Sequence, residues 1–236
     1  MFTGLIREIG TLRRITSGAE SSRLTIRAPR AAASLGQGDS LAVDGICLTV
    51  TGVRGDLVTV DAAVETRRVT TLASWRAGRR LHLEPALRAG DALDGHLVLG
   101  HVDGTGRVAA VRRRGPSLLV TIACGADLAR WLMPKGSVAV DGASLTVDAG
   151  PHTDRFTVNL IPHTLSWTTF GDIRAGRVVN LEMDVLVKAA RTGRPAEALS
   201  GLAAAGAAAS GAARRTASVP SLASILDRGF GRRGKA

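Results

Sequence analysis

The sequence of 236 residues contains no tyrosine and few other aromatic residues, namely four phenylalanines and three tryptophans. Barrels that bind single-stranded nucleic acids stack the bases on exposed aromatic side chains. A set this small argues against such a role, even though the formal net charge of +11 at pH 7 is typical of nucleic-acid-binding proteins. We therefore expect no nucleic-acid partner.

Cysteine, histidine and long apolar runs are scarce as well. The two cysteines, Cys47 and Cys124, are too few for a disulfide framework, and the five histidines show no spacing typical of a metal site. No run of about 18 apolar residues is present, which predicts no membrane-spanning helix. Charge at Arg7 and Glu8 lies where a signal peptide has its apolar region. These absences predict a soluble, cytoplasmic protein without a metal.

The excess of positive charge is concentrated near the C-terminus. Residues 189–236 contain eight lysines and arginines but only two acidic residues. The segment is rich in alanine, but glycines at 201, 206 and 211 interrupt any long helix. We expect a short helix and then a flexible, solubilising extension, with another short helix at 221–226. The alternative is an extension that binds an acidic partner.

The rest of the chain contains two copies of one pattern. The segment Val43–Val50, VDGICLTV, recurs as Val140–Val147, VDGASLTV. Three further segments recur in the same order, at offsets of 96 to 98 residues: Gly4 to Gly10 with Gly100 to Gly106, Glu65 to Leu72 with His163 to Phe170, and Ala77 to Glu84 with Ala175 to Glu182. The sequence therefore predicts two similar modules, 1–97 and 98–188, followed by the extension 189–236.

Each module has the pattern of about six short strands. Runs rich in β-branched residues, such as Ser40–Val43 and Cys47–Val50, are separated by turn residues such as Asp44-Gly45. Short helices are expected at 65–69, 127–133 and 164–167, and 112–116 is expected to be an exposed hairpin tip. Many short strands without alternating helices favour a small closed barrel, because closure removes exposed strand edges. The fold class predicted is all-β, with two barrels in tandem.

The two copies differ at positions that carry reactive side chains. Cys47 in the first copy corresponds to Ser144 in the second, and Leu5 corresponds to His101. Cys47 is either a buried filler or a nucleophile, and His101 is either a turn residue or a proton-transfer group. Asp184 and Lys135 are likewise either surface charges or members of a site. A duplicated site with different side chains can give two identical ligands different roles.

Several of these motifs together resemble the riboflavin synthase family of the α-chain type. They are Met1–Gly4, the two copies of VDGx[CS]LTV, Gly95–Gly104 (GHLVLGHVDG) and Asn159–Leu165 (NLIPHTL). The resemblance covers residues 1 to about 188. It implies two six-stranded Greek-key barrels, a C-terminal helix, and a homotrimer in which barrels of neighbouring subunits form the site. The C-terminal segment departs from the family pattern, because Gly193 and Pro195 interrupt the helix early.

The resemblance also implies a reaction and a set of residues. Two molecules of 6,7-dimethyl-8-ribityllumazine would give riboflavin and 5-amino-6-(D-ribitylamino)uracil by transfer of a four-carbon unit, without a cofactor. The implied catalytic residues are Cys47, His101, Ser144, Thr146 and Asp184. The implied first-barrel pocket is Gly4, Leu5, Ile6, Cys47, Leu48, Thr49, Asp61, Ala62, Ala63, Val64, Glu65 and Thr66. The implied second-barrel pocket is Gly100, His101, Val102, Lys135, Ser144, Leu145, Thr146, Leu160, Ile161, Pro162, His163 and Thr164.

Several points stay open at this stage. The nucleophile that activates one lumazine is Cys47, Ser144, water or a ribityl hydroxyl, and Asp184 either polarises Ser144 or acts as a base. Association with lumazine synthase is possible for the family. The main alternative function is a non-catalytic lumazine-binding or flavin-binding protein. The presence of Ser144, His101 and Lys135 in the second module favours the enzyme.

Overall fold

The computed structural model describes residues 1–192, and residues 193–236 lie outside the described part. The predictions for 193–236, including the helix at 221–226, therefore stay predictions. The strands are β1 (Glu8–Ser17), β2 (Ser21–Arg27), β3 (Ser40–Val43), β4 (Ile46–Arg54), β5 (Leu57–Ala63), β6 (Arg80–Pro85), β7 (Gly104–Arg114), β8 (Ser117–Ala123), β9 (Ser137–Val140), β10 (Ala143–Ala149), β11 (Arg155–Leu160) and β12 (Val178–Met183). The helices are α1 (Pro29–Ala32), α2 (Val64–Val69), α3 (Gly125–Ala129), α4 (Pro162–Trp167) and α5 (Val185–Thr192), with 3-10 turns at Thr71–Ser74 and Thr169–Asp172.

The strands form two closed antiparallel barrels with the same topology. The first has the order β1-β2-β5-β4-β3-β6, and the second closes through β7-β8-β11-β10-β9-β12. In each barrel three consecutive strands, β3 to β5 or β9 to β11, are joined by hairpins. The last of the three pairs with the strand that precedes the set, so that β5 lies beside β2 and β11 beside β8, as in a Greek key. The prediction of two six-stranded Greek-key barrels with a short C-terminal helix is confirmed.

Alternating burial along the strands explains why the barrels close. In β5 the side chains of Val58, Val60 and Ala62 are buried while their neighbours are not. Because successive side chains of a strand point to opposite faces, one face of each sheet fills a barrel interior and the other faces outward. Trp75 fills the first core, and Phe156 and Phe170 fill the second.

Most of the short helices lie where the sequence predicts them. Helices α2 and α4 contain the expected segments and begin one and two residues earlier. The hairpin tip expected at 112–116 is shorter, because β7 continues to Arg114 and only Gly115 and Pro116 join it to β8. The helix expected at 127–133 is shorter, because α3 ends at Ala129. Beyond it, the N–H groups of Trp131 and Leu132 bond to carbonyls three residues back, which is a tighter turn. Pro134 disfavours helical geometry at the residue before it and so ends the segment. Among residues 1–192, no helix is long and apolar enough to cross a membrane.

The two Asp-Gly turns of the repeated motif pack directly against each other. Asp44 and Gly45 have φ values of 45° and 79°, and Asp141 and Gly142 have 43° and 80°. Two successive positive φ values are typical of the tight hairpin turn that Asp-Gly favours. A side chain on Gly45 would lie 2.6 Å from the backbone nitrogen of Gly142. Glycine is therefore required here both by the turn and by the contact between the barrels.

Buried carboxylates hold these turns in place. Asp44 Oδ1 accepts a hydrogen bond from the backbone N–H of His82 at 2.8 Å, and its Oδ2 pairs with Arg79 at 3.0 Å. Asp141 makes the equivalent bonds with Asn180 N at 2.7 Å and Arg177 at 2.9 Å. Burial and the charge of Asp44 raise the pKa of Asp141. The most recognisable motif of the sequence thus builds the interface between the barrels.

Two side chains cross that interface in equivalent positions. His82 Nδ1 lies 2.9 Å from the carbonyl oxygen of Asp141, and its Nε2 accepts the N–H of Thr169 at 2.8 Å. Asn180 donates from Nδ2 to the carbonyl of Asp44 and accepts the N–H of Thr71 at Oδ1, both at 2.8 Å. Burial lowers the pKa of His82, which keeps the ring neutral and able to accept at Nε2. Each barrel therefore supplies hydrogen bonds to the other's backbone.

We expect Gly142→Ala to destabilise the protein by about 3 kcal/mol, because the new methyl group would meet the backbone of Gly45 at a left-handed position. Gly115→Ala is the matched control, because Gly115 also has a positive φ but nothing lies within 4 Å of the added group. It should cost only about 1–2 kcal/mol. Urea unfolding of both variants measures the difference, and equal losses would contradict the tight turn-to-turn contact.

Candidate functional site

Two segments that precede β1 and β7 leave their own barrel and lie on the other one. The backbone N–H of Ser144 donates to the carbonyl of Gly4 at 2.8 Å, and that of Cys47 donates to Gly100 at 2.9 Å. Ile6 packs against the core of the second barrel, and Val102 against that of the first. The assignment of 4–6 to the first pocket and 100–102 to the second was therefore wrong. It assumed that each segment stays with the strand that follows it.

Two buried glutamates fix these crossing segments. Glu84 accepts the N–H and hydroxyl of Thr3 at 2.7 Å each and the N–H of Gly4 at 3.0 Å. Glu182 accepts the N–H groups of Leu99 at 2.7 Å and Gly100 at 2.9 Å. Burial raises the pKa of Glu84 and raises that of Glu182 to about 7. The backbone N–H groups partly oppose this rise by stabilising the ionised form.

The crossing segments approach the strands too closely for any residue except glycine. A side chain on Gly4 would lie 2.6 Å from Cβ of Ser144, and one on Gly100 would lie 2.5 Å from Cβ of Cys47. Both glycines also have positive φ values, 76° and 78°. The carbonyl groups of these glycines can therefore reach the strand edge, which brings Leu5 beside Ser144 and His101 beside Cys47.

A cleft on the outer face of the second barrel brings together many of the expected residues. It consists of two neighbouring cavities of ≈ 200 Å³ and ≈ 300 Å³ whose linings share Ser144 and Thr164. The smaller cavity is lined by Gly4, Leu5, Ile6, Arg7, Ala143, Ser144, His163, Thr164, Trp167 and Thr168. The larger is lined by Ser144, Leu145, Thr146, Asp148, Asn159, Ile161 and Thr164.

Other expected residues of this pocket lie beside the cleft rather than in its walls. Lys135 has an exposed side chain and a φ of 62°, and its Nζ lies 3.1 Å from Asp148 Oδ1. Lys135 is therefore the ion-pair partner of Asp148, which lines the larger cavity. Leu160 packs in the barrel core, whereas Pro162 is exposed at the start of α4.

Ser144 has a histidine partner that the sequence reasoning did not assign. Its Oγ lies 2.7 Å from Nδ1 of His96, which is almost completely buried. Burial lowers the pKa of His96, and the negative charge of Asp184 partly opposes this. Asp184 itself accepts the N–H of Leu186 at 2.9 Å. The sequence leaves open whether Asp184 polarises Ser144 or acts as a base; in the structure its charge acts on His96, the hydrogen-bond partner of Ser144.

The equivalent place on the first barrel is built around Cys47 and Thr49. Thr49 lies opposite Ser40 on β3 and opposite Asp61 on β5. Burial raises the pKa of the Cys47 thiol, while a hydrogen bond with Ser40 lowers it in part. The thiol therefore stays protonated at neutral pH, which disfavours Cys47 as a thiolate nucleophile.

The remaining first-barrel residues differ in how they are exposed. Leu48 and Ala62 pack in the core. Ala63, Val64 and Glu65 are exposed, and Thr66 is half-buried at the start of α2. Asp61 forms a two-point ion pair with Arg23, with both N···O distances 2.8 Å, and this pair lowers the pKa of Asp61.

His101 is exposed on its crossing segment, beside a second ion pair. Lys188 of α5 lies 2.9 Å from both carboxylate oxygens of Asp103, and Asp103 also accepts the N–H of Met183 at 2.7 Å. Partial burial, the charge of Lys188 and the N-terminal ammonium lower the pKa of His101, and Asp103 opposes them. The lowered pKa favours the neutral imidazole of His101, which can accept a proton.

The sequence analysis did not assign Ser40, His96, Asn159 and Trp167 to these sites, nor four further residues that line the cavities, Arg7, Ala143, Asp148 and Thr168. His96 and Asn159 lay inside the quoted motifs, so the motif itself was the available signal. Ser40 is detectable only through the pairing of β3 with β4. Trp167 lines the smaller cavity and stacks on His163 at 6.1 Å between ring centroids. Residues 1–192 contain no group of three or more His, Cys, Asp or Glu side chains placed to hold a metal ion.

Comparison with known families agrees with the internal repeat. The family model described as the lumazine binding domain matches the chain twice, over residues 3–86 and 99–184. Similar proteins include the riboflavin synthase of Mycobacterium tuberculosis (strain ATCC 25618 / H37Rv), 44% identical over 194 residues, which are 80% of this chain and 95% of that one. The riboflavin synthase of Bacillus subtilis (strain 168) is 38% identical over 188 residues, covering 80% of this chain and 87% of the other.

Solved structures show the same fold. LumP complexed with riboflavin aligns with a TM-score of 0.72 at 24% sequence identity, covering 78% of this chain and 99% of that one. LumP complexed with 6,7-dimethyl-8-(1'-D-ribityl) lumazine aligns with a TM-score of 0.70 over the same shares of the two chains, also at 24% identity.

We expect the imidazole of His96 to titrate below the ordinary histidine value of 6.5, and Asp184→Asn to lower its pKa further. The reason is that burial disfavours the imidazolium, whereas the Asp184 carboxylate stabilises it. Asp154→Asn is the control, because Asp154 pairs with Arg155 instead. NMR titration of the histidine rings, assigned with His96→Gln, measures the shift. A pKa for His96 that does not respond to Asp184→Asn would show that the two groups are not coupled.

Proposed function

The chain belongs to the riboflavin synthase family, and on that basis we propose that it converts two molecules of 6,7-dimethyl-8-ribityllumazine into riboflavin and 5-amino-6-(D-ribitylamino)uracil. A four-carbon unit passes from one lumazine to the other, so that the atoms of the two substrates balance those of the two products. No external oxidant or reductant is needed, because this is a dismutation.

The observation that carries the proposal is a duplicated site with different chemical groups in its two copies. Thr49 and Thr146 occupy equivalent positions on β4 and β10. The crossing segments place His101 beside Cys47 and Leu5 beside Ser144. Of two identical lumazines bound at these two places, each would therefore contact proton-transfer and hydrogen-bonding groups that differ from those around the other. The dismutation needs such a difference, because one lumazine gives the four-carbon unit and the other receives it.

The proposed chemistry begins with a proton transfer. One lumazine loses a proton from its C7 methyl group, and the resulting carbanion attacks the second lumazine. The second lumazine is activated by addition of a nucleophile at its own C7. His101 is proposed as the base, because its lowered pKa favours the neutral imidazole. At the other site, the Ser144–His96 pair can orient and polarise a hydroxyl group. Much of the rate would come from holding the two substrates together.

We also propose that the productive pair of sites lies between subunits of a homotrimer. The cleft of the second barrel is lined by outward-facing residues of β10 and β11, and the family resemblance implies that a barrel of one subunit faces a barrel of its neighbour. Leu186 of α5 is 61% exposed, which leaves an apolar side chain available for a second copy of the chain. Association with lumazine synthase stays a prediction of the resemblance.

Two further proposals concern the chain as a whole. The boundary at 97/98 is supported by barrel strands that run from Glu8 to Pro85 and from Gly104 to Met183, whereas helix α5 (Val185–Thr192) runs across the boundary at 188/189. A cytoplasmic location fits the two free cysteines, Cys47 and Cys124, because free thiols are common where the compartment is reducing.

A non-catalytic lumazine-binding protein is the less favoured function. The curated relatives that cover most of this chain are named riboflavin synthases. The second barrel retains Ser144 with its histidine partner and the Lys135–Asp148 pair beside the cleft. A protein that only held a ligand in one barrel would have no need of these groups in the other.

The direct test is to incubate the purified protein with 6,7-dimethyl-8-ribityllumazine and follow riboflavin by its longer-wavelength absorbance. We expect one riboflavin for every two lumazines consumed, with 5-amino-6-(D-ribitylamino)uracil recovered in the same amount as riboflavin. Heat-inactivated protein is the control. Tight binding of lumazine without any riboflavin would favour the binding protein instead.

We expect His101→Ala to lower kcat by about 100-fold or more and to change KM much less, because a base acts mainly in the transition state. The acidic limb of the rate profile should lie below pH 6.5, the ordinary histidine value, since the pKa of His101 is lowered. Lys188→Met removes a charge that lowers this pKa and should move the limb to higher pH. Loss of affinity with full kcat in His101→Ala would make His101 a contact residue.

A further inference from the structure

Asn159 of the second barrel occupies the place that Asp61 occupies in the first. The two residues are 98 positions apart, near the ends of β11 and β5, and their half-buried side chains lie on the outer face of the strand. Their cross-strand neighbours differ. Asp61 lies opposite Arg23, whereas Asn159 lies opposite Leu119. A polar partner in the first barrel is thus replaced by an apolar side chain in the second.

Because of this difference, the side chain of Asp61 has a hydrogen-bond partner, whereas the amide oxygen of Asn159 has none within the described residues. Both carboxylate oxygens of Asp61 are engaged by the guanidinium of Arg23 at 2.8 Å. The Oδ1 atom of Asn159 is shielded from water and has no hydrogen-bond partner within the described residues. A buried acceptor without a donor is destabilising, so such groups are rare unless a ligand or a water completes them.

The unpaired amide belongs to the wall of a cavity. Asn159 lines the ≈ 300 Å³ cavity together with Ser144, Thr146 and Thr164. Rotation of its terminal amide about the Cβ–Cγ bond can bring either polar atom to the cavity. A carboxamide presents a donor and an acceptor side by side, which a carboxylate such as that of Asp61 cannot do.

We propose that the carboxamide of Asn159 pairs with the imide edge of the pteridinedione ring held by the second barrel. The amide oxygen accepts the ring N3–H, and the amide nitrogen donates to a neighbouring ring carbonyl. The proposal rests on the proposed function, because it takes lumazine as the ligand of this cleft. It makes Asn159 a residue that distinguishes the second site from the first, where Arg23 holds Asp61.

The test compares 6,7-dimethyl-8-ribityllumazine with its N3-methyl analogue, which lacks the N3–H donor. Binding of each ligand to the full chain is measured by fluorescence titration in the wild type, in Asn159→Ala and in Asn159→Asp. In the wild type, N3-methylation should weaken binding of the ligand to one class of sites about tenfold. A loss of this size is expected when a hydrogen bond is removed and its partner is left unpaired. In Asn159→Ala the unmethylated ligand should bind that class about tenfold more weakly, and N3-methylation should add little further loss.

Thr157→Val is the matched control, because Thr157 lies on the same outer face of β11 and its hydroxyl bonds to the backbone of Ala149. It should leave the difference between the two ligands as in the wild type, and thermal unfolding of all variants shows whether they remain folded. An equal effect of N3-methylation in the wild type and Asn159→Ala would overturn the proposal, and so would an effect of Thr157→Val equal to that of Asn159→Ala. Wild-type turnover of lumazine to riboflavin is measured separately. Its absence would overturn the proposed function, whereas unchanged binding in both Asn159 variants with normal wild-type turnover would overturn only the role of Asn159.

Discussion

The structure depends on two buried carboxylates, Glu84 and Glu182, that hold the backbone of the two crossing segments. Each accepts the N–H groups of two successive residues, ending at Gly4 and Gly100. Because these residues are fixed, their carbonyl groups meet the strands of the opposite barrel at Ser144 and Cys47. Leu5 is thereby placed in the wall of the second-barrel cleft, and His101 follows Gly100 on the surface of the first barrel. Without these anchors, the segments would have no fixed position at either site.

The two barrels are alike in their framework and different in their chemistry. The Asp-Gly turns and the bridging side chains, His82 and Asn180, repeat with nearly the same geometry. The outward-facing residues are the ones that change, as Cys47 against Ser144 and Asp61 against Asn159 show. Framework positions are constrained by contacts with the other barrel, whereas the outer faces are free to vary. A duplicated fold can thus treat two identical ligands differently while the order of its strands stays the same.

The sequence predicted the fold well because the fold is periodic at two scales. The 98-residue repeat indicated two modules, and period-two burial, as in β5, indicated strands. The location of Gly4 and Gly100 was not predictable from the repeat, because both copies cross to the other barrel and the pattern is the same whether or not they cross. The pair His96 and Ser144, 48 residues apart, depends on a three-dimensional contact that no local pattern records. The sequence predicts the Asp-Gly motif as a turn, but the packing of its two copies against each other is visible only in three dimensions.

The mutual bridging of the barrels has a consequence for the order in which the chain is made. The amide of Asn180 bonds to the carbonyl of Asp44, 136 residues earlier, and accepts the N–H of Thr71, 109 residues earlier. When the first barrel leaves the ribosome, the groups that complete its surface have not yet been synthesised. Contacts so distant in sequence close late and slow folding. During synthesis the turn at Asp44 therefore lacks these partners until the second barrel has been made, and the speed of translation sets the length of that interval.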